Sequence, residues 1–191
     1  MLKEELFNYF NSFCNLSDSS FNSFWQITKI ESLKSGDMFL TPESNQDKMG
    51  IILSGALKSY FLTYEGSHHI RAFLSKFDVS AAFSSIQLEY RPNLFVEAIE
   101  ESKVLSFNYI DFKNISESVT ELKDLSYKML EIEFIKNEKK EYQFATKSIE
   151  DNFRIINQEL ELKNLKIMQK DIANYLGITD IAYSRIKKRI M

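Results

Sequence analysis

Arg185, Lys187, Lys188 and Arg189 crowd the end of the chain, with Ser184 beside them and Gln169 and Lys170 a short distance upstream. Guanidinium and ammonium groups at this density bind phosphate, and an arginine with a short hydroxyl neighbour can also address a base edge. From Lys163 to Met191 seven bases stand against two acids, Asp171 and Asp180, a net charge of +5, while the remainder carries −8. The overall charge of −3 therefore hides a C-terminal piece suited to a polyanion, although a solvated basic tail would show the same count.

Other chemistry finds little support. His68 and His69 are the only histidines, and neighbours on a strand face opposite ways, so they do not readily share a metal. Cys14 is the only cysteine, which excludes an intramolecular disulfide and a four-cysteine site within one chain; a packed thiol is its plainer reading. No glycine-rich phosphate loop and no nucleophile–histidine–acid set is present. The expectation is a protein that is not an enzyme, with no metal and no identified cofactor.

The basic residues need a frame. In the segment from Gln169 to Thr179, Ile172 and Leu176 are spaced for the buried face of a helix, Ala173 is small where a second helix would cross, and Gly177 can take the left-handed conformation that ends a helix. Thr179 can cap the second helix, whose inner face would be Ile178, Ala182 and Ile186. Asp180, Ser184, Lys187 and Lys188 then lie outward, with Arg185 placed for a base edge or phosphate. This is the layout of a helix-turn-helix; an ordinary two-helix corner is the bland alternative. The expected DNA-binding residues are Gln169, Lys170, Thr179, Asp180, Ser184, Arg185, Lys187, Lys188 and Arg189.

Upstream, Leu6, Phe7, Phe10 and Phe13 have helical spacing, and a second short helix is expected over Ser19 to Gln26. From Ile27 the period falls toward two, with strands expected at 27–33, 38–41, 50–53, 56–64, 68–74, 95–99 and 103–107, joined by brief turns. These predict an antiparallel sandwich or barrel. After Asn114 no Gly or Pro occurs until Gly177. A long helix is expected to start at Asn114, with the apolar stripe Leu122, Leu125, Met129, Ile132 and Ile135; the stripe could pack on the β domain or, as we prefer, form a dimer seam. A further helix should begin at Ser148, with Ile149, Phe153 and Ile156 inward. No segment has the roughly 20 apolar residues of a membrane span, and the first residues do not read as a secretory signal, so a cytoplasmic location is expected.

Gly50-Ile51-Ile52-Leu53-Ser54-Gly55-Ala56-Leu57-Lys58, the segment Phe95 to Leu105 and the segment Gln169 to Ile186 together resemble the Crp/Fnr family of transcription regulators over nearly the whole chain. The resemblance implies an α+β fold: a jelly-roll-like sensor domain of the cyclic-nucleotide-binding type (1–115), a dimerisation helix (116–146) and a winged helix-turn-helix (147–191). It implies double-stranded DNA and a second copy of the chain as partners, RNA polymerase as a further one, and a small-molecule effector of unknown identity. Phe73, Phe83 and Arg91 are the candidate effector contacts. Two departures stand out. Where nucleotide-binding members carry a Gly-Glu pair for the ribose, this chain has Ala81-Ala82, and Arg91 is followed by Pro92-Asn93, so cyclic AMP is not expected to bind. Where some members carry Arg-Glu at the second helix's start, this chain has Asp180-Ile181. The alternative function is a β-roll ligand sensor or scaffold whose helix-turn-helix no longer reads DNA.

Overall fold

The computed structural model describes residues 2–44, 47–63, 65–88 and 94–190. Leu6 and Phe10, one helical turn apart, are completely buried by α1 (Leu2–Asn11). Ser17 begins α2 (Asp18–Gln26) by accepting the Ser20 N–H at 3.3 Å. Eight strands follow among the described residues: β1 (Lys29–Leu33), β2 (Met38–Leu40), β3 (Lys48–Ser54), β4 (Leu57–Leu62), β5 (His68–Leu74), β6 (Val79–Ala81), β7 (Leu94–Ala98) and β8 (Ser102–Asn108), with α3 (Phe83–Leu88) between β6 and β7. They form two antiparallel sheets ordered β1-β8-β3-β6 and β2-β7-β4-β5. β6 and α3 were not among the expected elements; α3, at six residues, is under two helical turns and too short to show a period.

Strand alternation decides the layers. Phe39, Ile52, Leu57, Val96 and Val104 point between the sheets and form one core. Their neighbours Met49, Ile51 and Leu53 on β3, and Leu105 and Phe107 on β8, point the other way into a second core with Leu6, Phe10, Phe21 and Phe24. The β3/β8 sheet is thus buried on both faces. Gly55 makes the tight β3–β4 turn at φ +80°, where a Cβ would lie 2.3 Å from Ser102 Oγ; that hydroxyl accepts the Ala56 N–H and donates to Glu100 O.

Helices make up the rest: α4 (Tyr109–Ser118), α5 (Thr120–Thr146), α6 (Ile149–Leu162), α7 (Gln169–Tyr175) and α8 (Asp180–Ile190). The long helix begins later than expected. Asn114 lies inside α4, which starts earlier because Phe112 packs edge-on against Phe24 and at a tilt against Phe107, and Val119 separates α4 from α5 in an extended conformation. The expected dimer stripe also needs correction. Leu122 and Leu125 are fully buried within the chain's own helix–sheet core, so these two cannot face a partner, and Met129 is half-buried against the same core. Ile132 is half-buried and Ile135 exposed. The large side chains that α5 leaves open are Tyr127, Leu130, Phe134, Ile135 and Tyr142. The strands of the described residues all lie between Lys29 and Asn108, so the wing implied for the C-terminal unit is not among them.

Candidate nucleic-acid interface

The C-terminal helices close around Phe153, Ile156, Leu160, Ile172, Ala173, Leu176, Tyr183 and Ile186. Ser148 caps α6 by accepting the Asp151 N–H at 3.1 Å. Gly177 ends α7 at φ +70°, a conformation costly for any side chain with a Cβ. The exposed Thr179 hydroxyl accepts the Ala182 N–H at 3.2 Å and so starts α8, with its O–H left as a donor.

The inner face of α8 is Tyr183 and Ile186, with Ile190 beside them, and Ala182 is only half-buried. Tyr183 is the larger plug: it is 2% exposed, packs on Phe153 at 5.0 Å and donates its hydroxyl to Asn157 Oδ1. Rotation onto this face leaves Asp180, Ile181, Ser184, Arg185 and Lys188 outward and exposed, with Lys187 half-buried at the edge. Gln169 and Lys170 are exposed at the start of α7. Arg189 is set apart, because it is ion-paired with Glu150 of α6.

The remaining acid of the segment is removed from this surface. Asp171 on α7 is buried against Lys58 of β4 at 3.4 Å, and Lys58 also meets Glu97 of β7 at 3.4 Å. Next to it, the Asn174 carboxamide splints the sheet edge: Oδ1 accepts the Ile70 N–H and Nδ2 donates to His68 O, each at 2.6 Å. Tyr175 packs on Phe73 at 5.3 Å and lies under the Lys140 ammonium; burial pushes its phenol up to about 12. Asp78, before β6, adds a tie by meeting Lys136 of α5 at 2.9 Å and Lys163 beyond α6 at 3.5 Å. Burial would raise its carboxyl, but the two ammonium groups hold it below the ordinary value. Sequence reasoning missed this docking, since Lys58 and Asp171 are 113 residues apart and no local pattern links them.

The sequence matches no protein-family profile and no curated protein. Solved structures do match. FixK2 from Bradyrhizobium japonicum superposes with a TM-score of 0.69 at 20% identity, over 86% of this chain and 84% of that one. A Crp/Fnr-family protein from Eubacterium rectale gives 0.70 at 16%, over 91% and 83%. The c-di-GMP-responsive global regulator CLP from Xanthomonas campestris gives 0.72 at 9%, over 91% of each chain. This chain has the Crp/Fnr fold.

Within that fold, a cavity of about 940 Å³ opens between the β3/β6 sheet face, α3 and α5. Met49, Ile51, Val79, Ala81 and Phe83 line it, with Phe134 and Arg71 also in its wall. Of the three expected effector contacts, Phe83 lines this cavity. Phe73 does not; its ring packs on Tyr175 and the core of the C-terminal helices. Arg91 lies outside the described residues. Ser59, Ser80 and Ser85 are buried hydroxyls without a hydrogen-bond partner, on β4, β6 and α3. Among the described residues no three His, Cys, Asp or Glu side chains gather as a metal site, and no helix is long and apolar enough to cross a membrane. His68 and His69 are both exposed, His68 stacked on Tyr60. The thiol of Cys14 is half-buried, and burial pushes it up.

Proposed function

We propose that this chain is a DNA-binding transcription regulator of the Crp/Fnr type. The observation that carries this reading is the outward face of α8, where Ser184, Arg185 and Lys188 stand exposed while Asp171, which would repel phosphate, is turned onto Lys58. Arg185 addresses a base edge or phosphate, Lys188 and Lys170 address phosphate, and Gln169 donates to the backbone. Two copies would present their α8 helices to major-groove faces about 34 Å apart, so the site is palindromic. A regulator seated at a promoter is also placed to meet RNA polymerase.

The dimer seam we propose uses the open face of α5, with Tyr127, Leu130 and Phe134, which follow one another at helical steps and are 58%, 47% and 72% exposed. Phe134→Asp is expected to raise the dimer dissociation constant at least about tenfold in sedimentation, with the monomer's fold intact. The cavity supports an effector that is largely apolar. Cyclic AMP is not the ligand we propose, because Ala81 and Ala82 offer no acceptor for a ribose hydroxyl.

The decisive experiment is selection of bound sequences from random duplex DNA by the purified chain, followed by salt titration of the enriched site. A palindrome bound with a steep loss of affinity as salt rises, and weakened at least tenfold by Arg185→Ala, is the expected result. Weak, sequence-independent binding would instead favour the scaffold reading.

A further inference from the structure

Arg71 and Lys140 are two cations that meet without a counter-ion. The β4/β5 register slips by one residue at Arg71: Ser59 faces Ala72 and Tyr60 faces Ile70, and Arg71 falls between them with no partner across the pair. An extra residue of this kind bends its strand and re-aims its side chain. Arg71 lines the cavity beside Val79, Phe83 and Phe134, and its carbonyl accepts a hydrogen bond from the Lys140 ammonium. Lys140 is half-buried, one helical turn beyond Asn137 of the same wall. Among the described residues no carboxylate comes within ion-pair distance of either side chain. The acids of the neighbouring elements are engaged elsewhere: Glu131 by Lys128 at 2.8 Å, Glu133 by Lys136 at 2.7 Å, and Asp78 by Lys136 and Lys163. Glu159 of α6 acts on the Tyr175 phenol that lies under Lys140. Two like charges held together beside an apolar wall leave a positive potential that an anion relieves.

We propose that the cavity takes an amphipathic organic anion, a fatty-acid-like carboxylate whose chain lies against β3, β6 and α5 and whose headgroup sits between Arg71 and Lys140. The inference rests on the effector reading of the cavity and deepens it by naming the ligand class and the residues that select it. Arg71 supplies a planar fork that matches a carboxylate, and Lys140 a second positive charge.

The test compares decanoate with decanol, which share a chain and differ in charge, by calorimetric titration of the full chain. Decanoate should bind about tenfold tighter or more. Arg71→Met should remove that advantage and leave decanol binding unchanged, whereas Lys113→Met, on the α4 wall, should alter neither. Circular dichroism checks the fold of both variants. Burial, then repulsion from Arg71, push the Lys140 ammonium down to about 8, and a bound carboxylate favours its charged form. Decanoate affinity should therefore fall as pH rises above 8, and Lys140→Met should bind more weakly at pH 7 with that fall abolished. If decanol binds as tightly as decanoate, or if Lys113→Met weakens decanoate as much as Arg71→Met does, the anion site is overturned while an apolar effector still fits the cavity. If Arg71→Met instead weakens self-association in sedimentation and spares decanoate, the counter-ion belongs to a second copy and the proposal fails. If neither compound binds, the effector reading of the cavity fails and takes the inference with it.

Discussion

The β-roll and the C-terminal helical unit achieve order in different ways. The β3/β8 sheet has one core between the sheets and another beneath α1, α2, α4 and α5, so its strands are held from both sides. The helical unit has one small core around Phe153 and Tyr183, and its orientation depends on groups of the roll: Lys58, the Ile70 N–H and the His68 carbonyl. The α7–α8 surface carries few apolar residues and many charges, and so does not fix its own orientation by burial alone. The outer face of the β4/β5 sheet does this instead, through an ion pair, a carboxamide splint and the Phe73 ring packed on Tyr175.

The sharpest way to separate the two regions is Phe153→Ala. Removing this 2%-exposed ring should cost about 3–5 kcal/mol. Amides of α6 to α8 should lose hydrogen-exchange protection, while those of β3 and β8 keep theirs. Equal loss in both would mean that the regions fold as one unit and the contrast is false.

The docking itself is weaker. Lys58→Met strands Asp171 and Glu97, but the Lys58 and Asp171 side chains each keep 11% exposure, so the cost should be about 2 kcal/mol, below the value for a sealed pair. Asn174→Ala should cost about 1 kcal/mol by removing the splint. Both should show as faster exchange at the Ile70 amide, with β3 unaffected.

The smallest effect concerns Lys140, which lies over Tyr175 and donates to Arg71 O. Burial, helped by repulsion from Arg71, pushes its ammonium down to about 8 from 10.5. Between those values the unfolded chain holds more protons than the folded one, so stability rises with pH across that window, and the penalty is full below pH 8. Lys140→Met should therefore raise the melting temperature slightly at pH 7, with the advantage gone near pH 10.5. A constant difference across that range would show that Lys140 acts through packing instead.

Much of this molecule was legible in its sequence because the relevant information is local. Alternation marked seven of the strands, Gly177 and Thr179 marked the turn between α7 and α8, and Ser148 marked the start of α6; in each case the backbone conformation and its capping partner lie within a few residues. The charge gradient likewise needed no coordinates. Tertiary structure alone decided which partner each face meets. Periodicity showed that Leu122, Leu125 and Met129 form a stripe, but a stripe does not state what covers it; the bare outer face of the β3/β8 sheet claimed it, leaving Tyr127, Leu130 and Phe134 open. In the same way, only the approach of β4 to α7 turned Asp171 from an acid on a basic surface into a buried counter-ion of Lys58, because burial and charge pairing depend on groups far apart in the chain and near in space.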